Sequence, residues 1–279
     1  MTDQDPLLRQ CAIDVSLCHP DPTKSCGACC GLYNWEDHSR RTLLGRLEKS
    51  TEFFFSSGQD PEAFRRALAR EPLPANPKLL ETLYNCEFLG FVDGGKKRVG
   101  CLLHPSVNQG RDLRDHCFYG AEICAGHFCP SHTCLTRPEQ QSVRAALEDW
   151  YLYGLVITDI DLVKEFFHHV QTRLGDSVRA ERLGGRKIRE ALRDFFALKE
   201  SWKLASSKNR LGKYYFSHSE YQVARIEYEK NWSLKPSRFD KILVSLSSEF
   251  RTPEEVFEAE SIVEGKIARF VRAYEESSS

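Results

Sequence analysis

The sequence predicts a mainly α-helical protein in two chemically different parts: an irregular cysteine-rich, metal-binding region with a small hairpin over residues 1–135, and a helical domain over residues 136–279. Three observations carry this expectation. All eleven cysteines lie between Cys11 and Cys134, and none follows. The sequence around them is punctuated by glycine and proline, whereas from Thr136 onward capping signals and apolar stripes at helical spacing take over.

A chain of 279 residues is about twice the common domain size, so each part can bury a core of its own. Hydrophobic residues make up 41% and charged residues 28%, and the formal net charge is -1. No global field therefore draws the chain toward nucleic acid or an anionic membrane. The start, Met1 to Pro6, lacks the basic and apolar regions of a secretory signal, and no apolar run approaches the roughly 18 residues that span a bilayer. The expectation is a cytoplasmic protein with no membrane contact. In that reducing compartment a cysteine-dense region points to metal binding or thiol chemistry before it points to disulfides.

Taken in order, the first helix is expected from about Glu36 to Ser56, with Leu43, Leu44, Leu47, Phe54 and Phe55 on a common face. A short second helix opens at Asp60-Pro61. These helices separate Cys18, Cys26, Cys29 and Cys30 from Cys86, Cys101, Cys117, Cys124, Cys129 and Cys134, so a shared site has to be closed by folding. Pro72, Pro74 and Pro77 mark an extended connection. Asp93-Gly94-Gly95 is a turn signal between Phe88–Val92 and Val99–Leu103, which predicts a hairpin carrying Cys86 and Cys101. Thr136 with Glu139 forms a capping box, and Thr252-Pro253-Glu254-Glu255 opens the clearest helix, striped by Val263, Ile267, Phe270, Val271 and Tyr274. Ile188, Leu192, Phe195 and Phe196 repeat the pattern, and four or five packed helices are expected in all.

Cys26-Gly-Ala-Cys29-Cys30-Gly places three thiols within five residues, and its glycines permit the tight turn that lets them converge. Adjacent cysteines rarely serve one ion, so Cys29 and Cys30 are expected to divide between two metals, or to act as one ligand and one spare thiol. A thioredoxin-type redox pair at Cys26 and Cys29 is the competing reading; His19-Pro20-Asp21-Pro22, where a buried strand should lie, argues against it. Further on, Cys117, Cys124, Cys129 and Cys134 are separated by six, four and four residues and interleaved with His116, His127 and His132. That spacing matches no zinc finger, deaminase or bacterial ferredoxin. The candidate metal ligands are Cys26, Cys29, Cys30, Cys86, Cys101, Cys117, Cys124 and Cys129. Cys11 and Cys134 read equally well as small buried or surface residues, and His38, His168, His169 and His218 as structural or solvated ones.

Cys26-Gly-Ala-Cys29-Cys30, then Cys86-Glu-Phe-Leu, Gly100-Cys101 and Cys124-Ala-Gly-His-Phe-Cys129-Pro together resemble the YkgJ-type cysteine-cluster family, described as a zinc- or iron-chelating domain. The likeness covers about the first half of the chain. It implies that Cys26, Cys29, Cys30, Cys86, Cys101 and Cys124 occupy the family's cysteine positions, and that Cys129 matches an extra cysteine of some members. Two departures stand out. Thr23 replaces the family's opening cysteine, leaving Cys18 as the substitute, and the stretch from Cys101 to Cys124 is longer and adds Cys117.

Four thiolates satisfy tetrahedral zinc and equally a two- or four-iron cluster, so ligand type does not separate them. Ligand number exceeds one structural zinc site and favours an iron–sulfur cluster. Three function classes stay open: a cluster protein with a redox or enzyme-supporting role; a zinc-stapled protein or nucleic-acid interaction module; and a cluster-bearing protein-modifying enzyme such as a methyltransferase, to which only the family likeness points. The sequence contains no phosphate loop, nucleophile elbow, paired-histidine metalloprotease helix or radical adenosylmethionine signature. Between Arg179 and Lys213 eleven basic residues face four acidic ones, with Phe195, Phe196, Trp202, Tyr214 and Tyr215 close by, a candidate nucleic-acid surface over 179–215. The neutral total charge weighs toward the alternative, in which the aromatics face the core and the cations face the acidic segment from Glu249 to Glu264.

Overall fold

A computed structural model of the chain describes residues 16–206, 213–215, 221–223 and 225–277. The fold is mainly helical. In chain order the elements are α1 (Arg40–Ser56), α2 (Pro61–Arg70), β1 (Leu89–Phe91), β2 (Val99–Cys101), α3 (Gly120–Gly126), α4 (Ser131–Cys134), α5 (Arg137–Ala146) and α6 (Trp150–Ile157). There follow α7 (Ile160–Leu174), α8 (Arg186–Phe196), α9 (Leu198–Ser201), β3 (Lys213–Tyr215), β4 (Tyr221–Val223), α10 (Tyr228–Trp232), α11 (Asp240–Ser245) and α12 (Pro253–Glu276).

Local chemistry sets most boundaries. The Ser39 side chain accepts the Thr42 N–H and so caps α1. The helix starts later than the apolar pattern suggests, because Asp37 folds back onto the Ser39 amide (3.0 Å) and the Thr42 hydroxyl (2.6 Å), an Asx turn in place of a first helical turn. Leu43, Leu47 and Phe54 are buried, whereas Leu44 is half-buried and Phe55 is exposed. Neighbours at consecutive positions point about 100° apart on a helix, and α1 turns only one member of each of these pairs fully inward. At α2, Asp60 accepts the Ala63 N–H at 2.6 Å and Pro61 takes the first turn.

The expected hairpin is present, with Leu89 opposite Cys101, Gly90 opposite Gly100 and Phe91 opposite Val99. Its turn is held by Asp93, whose carboxylate accepts the amides of Gly95, Lys97 and Arg98. Thr51 on α1 accepts the Phe91 N–H at 2.7 Å and donates to the Leu47 carbonyl at 2.7 Å, which pins the hairpin to the helix. Only a glycine at position 90 permits that approach: a Cβ there would lie 2.7 Å from the Thr51 hydroxyl. A second antiparallel pair, β3 with β4, was not expected inside the helical half. Its residues, Lys-Tyr-Tyr and Tyr-Gln-Val, are strand formers with no helical stripe.

Both capping signals of the C-terminal half form: Thr136 with Glu139 as a capping box, and Thr252 accepting from the Glu255 N–H. Five helices of eight or more residues occur here among the described residues, packed around Phe166, which lies 4.4 Å from Phe195 and 5.2 Å from Phe270 between ring centres. Phe195, Phe196 and Trp202 are buried, as the core reading of the 179–215 stretch requires. Several of the cations pair with carboxylates outside the expected acidic segment. Arg186 pairs with Glu190, Lys187 with Glu276, Arg193 with Glu148 and Lys199 with Asp159. Lys203 does pair within the expected acidic segment, at Glu258. The side chains of Tyr214 and Tyr215 lie outside the described residues.

Helix α6 joins the two halves. All eight of its residues are buried, the mark of a helix enclosed on every side. Trp150, Tyr151 and Leu155 pack with Leu32, Tyr33, Leu43 and Phe91, while Leu152, Tyr153, Val156 and Ile157 belong to the helical core. The Tyr33 hydroxyl donates to the Tyr151 carbonyl at 2.9 Å, and the Tyr153 hydroxyl donates to the Leu17 carbonyl at 2.9 Å. Tyr33 comes this close because position 154 has no side chain: a Cβ on Gly154 would lie 2.2 Å from the Tyr33 oxygen. Gly154→Ala is therefore expected to lower stability by about 1–3 kcal/mol through overpacking, read as a lower midpoint in equilibrium denaturation.

Candidate functional site

The cysteine-bearing segments are fixed by hydrogen bonds that are independent of the thiols. The Cys26 amide donates to the Cys18 carbonyl at 2.9 Å, closing the loop whose turn is organised by Asp21. Salt bridging to Lys24 and hydrogen bonds from Thr23 hold the Asp21 carboxyl down at about 2 despite partial desolvation. The Ser25 hydroxyl donates to the Val99 carbonyl at 2.6 Å, which lays this loop on the hairpin. A single 3-10 turn, Ala28–Cys30, then ends at Gly31 in the left-handed region (φ 83°), where a Cβ would meet the Asn85 Cα at 2.7 Å. That close approach lets the Cys86 amide donate to the Cys30 carbonyl at 3.0 Å, and Asn34 and Asn85 bind each other across it.

Cys101 ends β2, and the buried Asn108 side chain ties the following turn to the carbonyls of Leu102 (2.7 Å) and His104 (3.0 Å). Cys117 follows the 3-10 turn Arg114–His116, and Cys124 sits on α3; their sulfurs are 3.4 Å apart. Cys129 precedes α4, the short helix that carries His132.

These segments enclose a cavity of about 440 Å³, and its wall includes Cys18, Cys26, Cys29, Cys30, Cys86, Cys101, Cys117, Cys124 and Cys129. All eight candidate ligands named from the sequence are thus brought to one chamber, together with Cys18. Cys134 packs on the helical core instead, and Cys11 and His218 lie outside the described residues. His38 and His169 bind backbone carbonyls, of Trp35 and Arg238, as structural residues would. Among the described residues no carboxylate lines the chamber; the rest of its wall includes His19, His104, His127, Arg114, Tyr84, Tyr119 and Phe128. Tyr84 stacks near Phe118 and Tyr119 at 5.0 and 5.4 Å, an aromatic rim that no local pattern announces. Among the described residues, no group of three or more His, Cys, Asp or Glu side chains is drawn together closely enough to hold a single metal ion.

The thiols resist ionisation. Burial, followed by the neighbouring charges of Cys101 and Cys124, pushes Cys30 up to about 12. Burial also raises Cys101 to about 11, and burial with the hydrogen bond to Cys117 raises Cys124 to about 12. Cys26 and Cys86 rise for the same reason. Cys29 rises chiefly because it keeps its proton in a hydrogen bond to Cys129. Cys129 moves the opposite way, to about 4, because it accepts from Cys29 and from His132. The tautomer of His132 follows from its partners. The Leu17 amide donates to Nε2 at 3.2 Å, so Nε2 is unprotonated and the neutral ring carries its proton on Nδ1, 3.6 Å from the Cys129 sulfur.

No family model, curated protein or solved structure matches the chain.

In metal-free protein Cys129 is expected to be alkylated by iodoacetamide faster than Cys30, Cys101 or Cys124 near about pH 6, since hydrogen bonds hold its thiol below the usual range while burial raises theirs. His132→Phe removes the Nδ1–H donor and should move the midpoint of the pH dependence of Cys129 alkylation upward by about one unit, the equivalent of about 1.4 kcal/mol. Site-resolved mass spectrometry reads both results.

Proposed function

We propose that the chamber binds a metal–sulfur centre of several atoms, iron–sulfur in preference to zinc, and that the protein is a cluster carrier with a redox or enzyme-supporting role. The observation that carries this reading is nine cysteines from separated segments lining one cavity whose wall, among the described residues, includes no carboxylate. A wall of nine thiols with the imidazoles of His19, His104 and His127 suits soft and borderline metals better than magnesium or calcium.

Spacing argues for several atoms over one ion. A zinc–sulfur bond of about 2.3 Å in tetrahedral geometry sets sulfurs that share an ion about 3.8 Å apart. Cys117 and Cys124 stand at such a distance, but no third donor joins them at ion-binding range among the described residues. In a four-iron cluster each terminal thiolate binds a different iron, so the sulfurs stand further apart around a larger core. Charge points the same way: buried thiols that repel one another's ionisation become thiolates when a cationic centre lies among them. Where a cluster is bound, it supplies electron-transfer or Lewis-acid chemistry, and the chain's part is to ligate it, shield it and set its electrostatics. The likeness of Cys26–Cys30, Cys86, Cys101 and Cys124 to the YkgJ-type pattern supports the same reading. A zinc staple centred on the Cys117–Cys124 pair is the second reading.

Anaerobic purification followed by metal analysis and visible absorption tests this. The expected result is coloured protein containing iron and acid-labile sulfide, with absorption that bleaches on reduction. Colourless protein with stoichiometric zinc would establish the staple instead, and protein that takes up neither metal would overturn both readings.

A further inference from the structure

We infer that the chamber is divided into two metal–sulfur sites, one held by Cys18, Cys26, Cys29 and Cys129 and the other by Cys86, Cys101, Cys117 and Cys124, with Cys30 between them. The inference rests on the cluster reading above and adds number and ligand assignment to it.

The two sets are anchored on different parts of the core. Cys86, Cys101, Cys117 and Cys124 pack on the phenylalanine cluster of Phe54, Phe64 and Phe88. Cys26 packs on the helical core and on the Tyr33–Trp150 cluster, and Cys30 on the latter. Each set also has its own hydrogen-bonded frame. In the first, the Cys26 amide binds the Cys18 carbonyl, the Leu17 amide binds His132 and His132 faces Cys129. In the second, the hairpin register sets Cys101 opposite Leu89, whose amide donates to the Cys86 carbonyl at 3.3 Å. Cys117 and Cys124 then meet directly, at 3.4 Å between sulfurs.

Direct contact between sulfurs follows the same division: Cys29 binds Cys129 in the first set, and Cys117 meets Cys124 in the second. Adjacent residues cannot easily serve one centre, and here Cys29 binds Cys129 while Cys30 packs on the Tyr33–Trp150 cluster and its carbonyl accepts the Cys86 amide. The surroundings of the two sets differ as well: the His132 N–H serves the first set, and the Arg114 guanidinium lies by Cys101 and Cys124 of the second. Donors and charges near the sulfurs tune reduction potential, so the two sites should differ in it.

The test reconstitutes the full chain and two double variants, Cys26→Ser/Cys129→Ser and Cys117→Ser/Cys124→Ser, with ferrous iron and sulfide under anaerobic conditions. Iron and sulfide per chain are measured, and circular dichroism checks folding. Each folded variant is expected to retain about half the wild-type iron, with absorption spectra that sum to the wild-type spectrum. Loss of all iron from a folded variant, or retention of all of it in both, overturns the division while leaving the cluster reading intact. Wild-type protein that takes up no iron overturns the cluster reading itself. Should a variant not fold, stepwise reduction of the wild type followed by electron paramagnetic resonance decides: two centres reduced at separate potentials are expected, and one centre per chain overturns the inference.

Discussion

The close contact between Tyr33 and helix α6 is the constraint on which the arrangement depends. A tyrosine hydroxyl reaches backbone carbonyls at 2.9 Å inside a helix buried on all sides, and this is possible only because residue 154 is glycine. The contact fixes the segment that begins at the Cys26–Cys30 turn against the helical half. Tyr153, on the same helix, holds the Leu17 backbone and through it the amide that orients His132. A helix without a cysteine therefore sets the position of sulfurs on both sides of it. The chamber's rigidity comes from this apolar scaffold and its backbone hydrogen bonds, so the cysteines are brought together by folding, with the charge problem of assembling them left to be resolved within the cavity.

That charge problem has a physical resolution. Thiols packed side by side away from water stay protonated, because each ionisation is opposed by desolvation and by its neighbours. The exception is Cys129, which accepts hydrogen bonds from the side chains of Cys29, His132 and Ser131. A cationic centre removes the opposition for the remaining sulfurs. Metal affinity and proton release are then two descriptions of one equilibrium.

What was legible in the sequence was what local chemistry decides. The Thr136 and Thr252 caps, the Asp60-Pro61 start and the Asp93-Gly94-Gly95 hairpin all form, since a few adjacent residues satisfy their own backbone groups there. Phe55 was placed on the wrong side of α1 because an apolar residue beside another apolar residue says nothing about which faces inward. The start of α1 was read too early because the Asp37 turn competes with the helix. Of the site, the segregation of the cysteines was enough to name eight residues that line the chamber. The division among them was hidden, as it depends on pairings across long sequence separations, such as Leu17 with His132 and Cys30 with Cys86. Cys134 fell at the end of the same run as the ligands but sits on α4 against the helical core, a distinction that spacing does not encode. The basic stretch from Arg179 was also ambiguous in sequence; its charges are answered by carboxylates as distant as Glu148 and Glu276.

The central proposal is that cysteine sulfur supplies most of the first shell of a metal bound in this chamber. X-ray absorption at the metal edge of the purified protein measures the donor atoms directly. The account predicts a first shell of sulfur at about 2.3 Å with a second metal as a near neighbour. A first shell of nitrogen and oxygen donors, with no sulfur, would contradict it.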